Sequence, residues 1–328
     1  MNSKFAGIIF SLLFFFQASV AHGYIYSAKF AEMGHAYIDK LSTKSTDNLD
    51  SLTNDKRDRC LQRYNPLWAD GVLDIRIALG YFDWTTGGNV FWDGKSYGLS
   101  PSLDIATFAA LRDLLTSACY GNLRFCGFRA DPNNAYRFIK NVQIHGRTYQ
   151  ARIEMHFSSA TEYLESNLGS GRDTQRQRTQ YTENFFLTGL QSADAMFYFG
   201  HSRNGGGPDF TPPVFINGQN KVNYNGYYKV QQPGFRKMIA ALQGPDKTPI
   251  LGLMSCASRD HFLSRLRQTA PNTGIITSMD VLEIDVVYTA MVGGIDAILR
   301  GQCQASFYQS LRLNSANQQY ITMDGMFE

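Results

Sequence analysis

Three short stretches in the second half of this 328-residue chain constrain its fold more than anything else. They are DAMFYFG (194–200), TPILGLMS (248–255) and TGIITSM (273–279), each apolar through its middle. A strand with no polar face is one whose two faces are both covered, as in the parallel sheets of α/β proteins. Helix-like segments separate them: YTENFFLTGLQSA before the first, GFRKMIAALQG and RDHFLSRLRQTAP between them, and EIDVVYTAMVGGIDAILRG after the third, ending at Gly301. Strand and helix in alternation predict a mainly parallel sheet in a three-layer α/β sandwich with right-handed crossovers. Upstream, SPSLDIATFAALRDLLTSA carries Ile105, Phe108, Leu111 and Leu115 at helical spacing. NVQIHGRTYQARIEMHF alternates around His145-Gly146 and predicts a hairpin.

The first part of the chain reads differently. Lys4, the apolar block Phe5–Phe16 and the small residues Ser19-Val20-Ala21 form a secretory signal peptide over 1–21, with cleavage expected after Ala21. No later run approaches the roughly 20 apolar residues of a spanning helix. A secreted or periplasmic protein that keeps clear of the membrane after cleavage is therefore expected. Residues 22–100 mix a polar helical stretch with an aromatic, glycine-rich one, and carry no motif that maps to chemistry. They are expected to form an N-terminal mixed α/β region, either a proregion or a packed extension, ahead of an α/β domain over 101–328. Net charge is only +3 and the cations are scattered, apart from Arg172, Arg176 and Arg178. A nucleic-acid reader would carry a basic face with stacking aromatics, so no nucleic-acid partner is implied.

Five cysteines are present: Cys60, Cys119, Cys126, Cys256 and Cys303. Export favours pairing, and an odd count leaves one thiol over. Cys119 with Cys126 would close a small loop and Cys60 with Cys303 would tie the ends together. Sequence alone leaves the connectivity open.

Ligands of open parallel sheets bind beyond the carboxyl ends of the strands. There the first apolar strand delivers His201 and the second delivers Cys256. A thiol becomes a useful nucleophile with a base at hand, and a neighbouring histidine supplies one and later protonates a leaving amine. The bland readings are a buried cysteine acting as a small hydrophobe and a loop histidine bonded to backbone. Their meeting at one edge, with four other cysteines free to pair, favours chemistry. A serine alternative lies in GHSRN around Ser202. It departs from Gly-x-Ser-x-Gly at Asn204, and RNGGGPDFTPP cannot supply the helix that a nucleophile elbow needs. His145, in a turn, and His156, in a strand, are weaker rivals, as is His261 on a helix. No zinc motif, phosphate loop or dinucleotide fingerprint occurs, so no metal or cofactor is implied.

A hydrophobic strand ending in a histidine, followed by a second ending in Ser-Cys with serine two beyond (LGLMSCAS), resembles the caspase-like cysteine peptidases. These include caspases, legumains, gingipains, clostripain, separase and bacterial CHAT proteases. The resemblance spans about Asn141–Gly301 and implies a caspase-like fold and an endopeptidase acting on a protein or peptide substrate. By position, Cys256 would be the nucleophile and His201 its partner, with the backbone N–H groups of Cys256 and Ser202 binding the oxyanion. Most relatives have glycine directly after the histidine. Ser202 stands there instead, so the oxyanion geometry turns on whether that position needs a backbone only glycine adopts readily. An inactive homologue that binds a peptide or partner is the competing reading. Relatives read an acidic, amide or basic side chain before the cut bond. Asp280, Glu283 and Asp285 would hold a basic one, although Asp285 also suits a helix N-terminus. Arg203 and Arg172 would instead receive an acidic one. Asp209 reads as a turn residue.

Overall fold

The computed structural model describes residues 31–44, 49–81, 89–92, 95–99, 103–158, 170–219, 221–313 and 319–328. The expected signal peptide and the Arg172 side chain lie outside the described set. Among the described residues ten strands form: β1 (Val72–Leu79), β2 (Asn89–Trp92), β3 (Lys95–Leu99), β4 (Arg129–Asp131), β5 (Asn134–Ile144), β6 (Arg147–Phe157), β7 (Ala195–Phe199), β8 (Ile250–Met254), β9 (Gly274–Ser278) and β10 (Ile321–Asp324). The helices are α1 (31–42), α2 (Asn54–Tyr64), α3 (Leu103–Thr116), α4 (Ser170–Ser192), α5 (Lys229–Gln231), α6 (Pro233–Ala241), α7 (Ser264–Thr269), α8 (Ile284–Arg300) and α9 (Gln304–Leu311).

Eight strands make one sheet in the order β10-β9-β8-β7-β1-β6-β5-β4. The five from β9 to β6 run parallel, and β10, β5 and β4 add antiparallel edges. β2 and β3 pair as a separate hairpin. The three apolar runs are β7, β8 and β9, as expected. Their side chains alternate between two cores. Phe197, Phe199, Met254 and Ile276 join residues of α1, α2, α3, α8 and α9 on one face. Met196, Tyr198, Leu251, Leu253 and Ile275 join Phe186 of α4, Met238 of α6 and Leu266 of α7 on the other. Helices thus cover both faces. Burying each large side chain contributes roughly 1.5–3 kcal/mol. Gly252 is part of that packing, because a Cβ there would fall 2.3 Å from the Phe197 ring.

The division expected at residue 100 does not separate the fold. β1 lies in the middle of the sheet, between β6 and β7. Its odd positions, Leu73, Ile75, Ile77 and Leu79, enter the first core. On the other face Arg76 pairs with Asp74 at 2.9 Å and stands 5.7 Å from the Phe185 ring. Residues 72–79 are therefore an integral strand, not part of a detachable proregion.

Two disulfides form, Cys60–Cys303 across 243 residues and Cys119–Cys126 across 7. The first ties α2 to the start of α9, and closing so long a loop stabilises by on the order of 5 kcal/mol on chain entropy alone. The hairpin turn His145-Gly146 has φ 49° and 78°, the two left-handed positions of a tight β-turn between antiparallel strands. Gly301 ends α8 in the left-handed conformation at φ 65°. Among the described residues no helix is long and apolar enough to cross a membrane.

At the amino end of β7, Asp194 accepts the Asp74 N–H at 2.7 Å. Burial pushes its carboxyl up to about 7, and the neighbouring Asp74 and Asp70 add to this. The folded protein therefore holds a proton there that the unfolded chain, with an ordinary carboxyl near 4, has already released. Stability from this group is complete below about pH 4 and is lost as pH rises to about 7. Asp194→Asn keeps an acceptor for Asp74 without the charge. Thermal melts should show the variant gaining Tm over the native protein above about pH 7 and matching it near pH 4. An equal gain at both pH values would refute this assignment.

Candidate active site

β7 and β8 are adjacent, parallel and in register, with Phe199 opposite Met254. The ladder runs one step further, since the Gly200 N–H donates to the Met254 carbonyl at 3.2 Å. His201 and Cys256 are each two residues past that register pair, so both leave the sheet at the same carboxyl rim. Both are half-buried. Cys256 is the free thiol among the five cysteines, and its Sγ lies 3.7 Å from the Leu282 carbonyl.

The chain turns sharply after Cys256. Ala257 is held at φ 47°, where a side chain costs about 1–2 kcal/mol, while its N–H donates to the Asp280 carbonyl at 2.8 Å. A π-turn (Arg259–Leu263) and α7 follow at once. Strand, left-handed turn and helix thus follow one another around Cys256. Ser202 has no such setting. A 3-10 turn (Arg203–Gly205) follows it, then a long irregular segment, and the serine itself is 6% exposed.

Ser202 has φ −76° and ψ −17°, ordinary right-handed backbone. The substitution of serine for glycine beside the histidine therefore imposes no backbone strain. Neither the Ser202 nor the Cys256 backbone N–H donates a hydrogen bond among the described residues.

The His201 loop is fixed from inside. Arg203, at φ 49°, turns its guanidinium into the protein, where Nε donates to Asp209 Oδ2 at 2.7 Å. Tyr81 and Tyr228 lie 5.8 and 5.6 Å from that guanidinium. Asp209 also accepts the Thr211 hydroxyl at 2.9 Å. The Tyr198 hydroxyl donates to the His201 carbonyl at 2.9 Å and accepts the Asp209 N–H at 2.8 Å. Gly207 completes the closure, because a Cβ there would fall 2.6 Å from the His201 carbonyl oxygen. Arg203, expected as a pocket cation, is a buried strut for the loop, and Asp209 is its partner as well as a turn residue. Tyr81 escapes sequence reading because it meets the loop from the neighbouring strand, and Tyr228 because it folds back from further along the same connection.

The acids after β9 share the rim. Asp280 is exposed and its Oδ1 accepts the Val281 N–H at 2.7 Å. Glu283 is exposed and precedes α8, while half-buried Asp285 lies in its first turn. Met279 and Val281 flank them, 41% and 76% exposed. The Leu282 and Asp280 carbonyls bring this loop against Cys256 and Ala257.

Of the other histidines, His261 lies behind the glycine loop, its Nδ1 3.4 Å from where a Gly205 Cβ would stand, and burial pulls its imidazole below the ordinary value. His156 bonds Glu154 at 2.9 Å. Burial by itself would raise that carboxyl, but hydrogen bonds from His156 and Arg137 hold it down to about 2. Cys60, His145 and Cys303 gather three donor atoms within 4.8 Å, but the disulfide occupies both sulfurs.

Comparison of the chain with protein-family models, with curated proteins and with solved structures gives no match.

Arg203→Met would leave Asp209 as an uncompensated carboxylate in a site where the two side chains are 0% and 8% exposed. Urea unfolding should register a loss of about 3–5 kcal/mol. A loss below about 1 kcal/mol would mean the pair does not hold the loop.

Proposed function

We propose that this protein is an exported, caspase-like cysteine endopeptidase, acting outside the cell or in the periplasm. One observation carries the reading: a free cysteine and a histidine leave neighbouring parallel strands at one rim, while the other four cysteines are tied in disulfides.

In this reading His201 takes the proton of the Cys256 thiol as the sulfur attacks the scissile carbonyl. The C–N bond breaks as His201 returns that proton to the leaving amine. Water then attacks the thioester, with His201 again accepting a proton, and frees the carboxylic acid product. The Ser202 and Cys256 N–H groups hold the oxyanion at both steps. A single such donor is worth about 10²–10³ in rate. Asp280, Glu283 and Asp285, on the loop beside the nucleophile, favour a protein or peptide substrate with a basic residue before the cut bond.

A second reading is a catalytically silent module that keeps the scaffold and binds a peptide. The contact between the Cys256 sulfur and the Leu282 carbonyl favours it, since a thiol already bonded within the protein is not directed at a substrate. A serine hydrolase acting through Ser202 has the least support, given the buried side chain and the missing helix.

A peptide-library cleavage profile of the protein beside Cys256→Ala and His201→Ala separates these readings. The enzyme reading expects cleavage to vanish in Cys256→Ala, and an acyloxymethyl ketone to label Cys256 about 10²–10⁴ times more slowly in His201→Ala. Cleavage that survives in Cys256→Ala sinks it. No cleavage by any form, with slow labelling that ignores His201, selects the silent module.

A further inference from the structure

The opposite rim of the sheet holds a cavity of about 640 Å³. Thr248-Pro249, leading into β8, and Asn272-Thr273, leading into β9, form its floor. Arg59 and Arg63 of α2, Lys247 and Arg267 of α7 line it, and Glu328 is the carboxylate side chain among its walls.

The charges do not cancel. Asp55 pairs with Arg59, and Glu328 lies 3.2 Å from Arg267. Arg63 and Lys247 have no carboxylate within ion-pair distance among the described residues. Arg63 donates instead to neutral carbonyl oxygens, those of Met326, Pro249 and Asn272 each at 2.8 Å and that of Gly325. These bonds fix the guanidinium without pairing it to a carboxylate. Burial lowers its pKa and the nearby Arg267 lowers it further, while Tyr64 and Glu328 act in the opposite sense. Lys247 makes no hydrogen bond among the described residues, and Arg59 Nε is buried without an acceptor. Donors are thus free where the surplus charge is greatest.

Guanidinium and ammonium groups that crowd a concave site without counter-charge are relieved by an anion. The Glu328 carboxylate already plays that part for Arg267 from within the chain. We propose that this cavity is a binding site for a small polyvalent anion, bridging α2, the amino ends of β8 and β9, and the segment 325–328. It lies on the rim away from Cys256 and stands or falls apart from the peptidase reading. Occupancy would stabilise the fold by mass action, since the unfolded chain lacks the site.

Inorganic tripolyphosphate is the probe. Isothermal titration and thermal melts of the whole protein should show saturable binding and a Tm rise that sodium chloride at matched ionic strength does not give. Lys247→Gln removes a charge that bonds nothing, so the fold is kept, and affinity should fall about tenfold. Glu328→Gln removes the internal competitor and should tighten binding by about as much. Binding that is unchanged in both variants, or a Tm rise that sodium chloride reproduces, would overturn the site.

Discussion

The parallel pairing of β7 with β8 is the constraint on which the rest depends. Parallel neighbours leave a sheet in the same direction, so the loops that follow them open on one rim. Their fixed register, Phe199 opposite Met254, turns a separation of 55 residues along the chain into one strand spacing, about 4.8 Å. His201 and Cys256 share the same offset from that pair. A slip of one residue in either strand would exchange its two faces and destroy both cores, so the register is protected by the whole hydrophobic interior. The departure of His201 and Cys256 from neighbouring strands at one rim is thus a by-product of core packing.

Strain collects where these strands end. Arg203 and Asn204 on one loop and Ala257 on the other hold left-handed backbone without being glycine. Arg203 is pinned within its own loop by Asp209, and Ala257 from the neighbouring loop by the Asp280 carbonyl. Unfavourable backbone that persists only because its surroundings insist on it is characteristic of functional loops. Here it occurs on both sides of the proposed dyad, and on the third loop of the same rim Asp280 is the residue that does the pinning. The loops after β8 and β9 are thus bonded to each other, and the loop after β7 is braced from within.

The elements legible in the sequence were those with a single unambiguous pattern. AMFYF, ILGLM and GIITS have no polar face to mislead, and Gly301 marks the end of α8 as a left-handed cap should. β1 was not legible, because Asp74 and Arg76 interrupt VLDIRIAL and satisfy each other only once the strand is in place. Its signal was there in Leu73, Ile75, Ile77 and Leu79, an alternation masked by the charges between them. His201 and Cys256 were readable as strand-end residues. The inward turn of Arg203 was not, since nothing local tells a cation to prefer Asp209 and two tyrosines over water. The disulfides follow from space: Cys119 and Cys126 meet by proximity, and Cys60 reaches Cys303 only because α2 packs beneath α9.

The position of β1 also limits how such a protein could be activated. A proregion spanning 22–100 would take the central strand with it when cut away, and the sheet would lose the element joining β6 to β7. The restriction extends further toward the amino end. α2 is bonded covalently through Cys60 to Cys303, and its Arg63 gathers carbonyls from the entrances of β8 and β9 and from the segment after β10. Before it, α1 places Tyr37 and Leu41 in the first core, with the Tyr37 hydroxyl bonded to the Ser310 carbonyl. A cut between α1 and α2 would leave α1 held by packing and hydrogen bonds with no covalent tie, and a cut between α2 and β1 would leave α2 tethered by its disulfide. Both helices lie against one face of the sheet, where their side chains join the first core. The thiol is held by the loops that carry it, with the Cys256 sulfur 3.7 Å from the Leu282 carbonyl on the loop after β9.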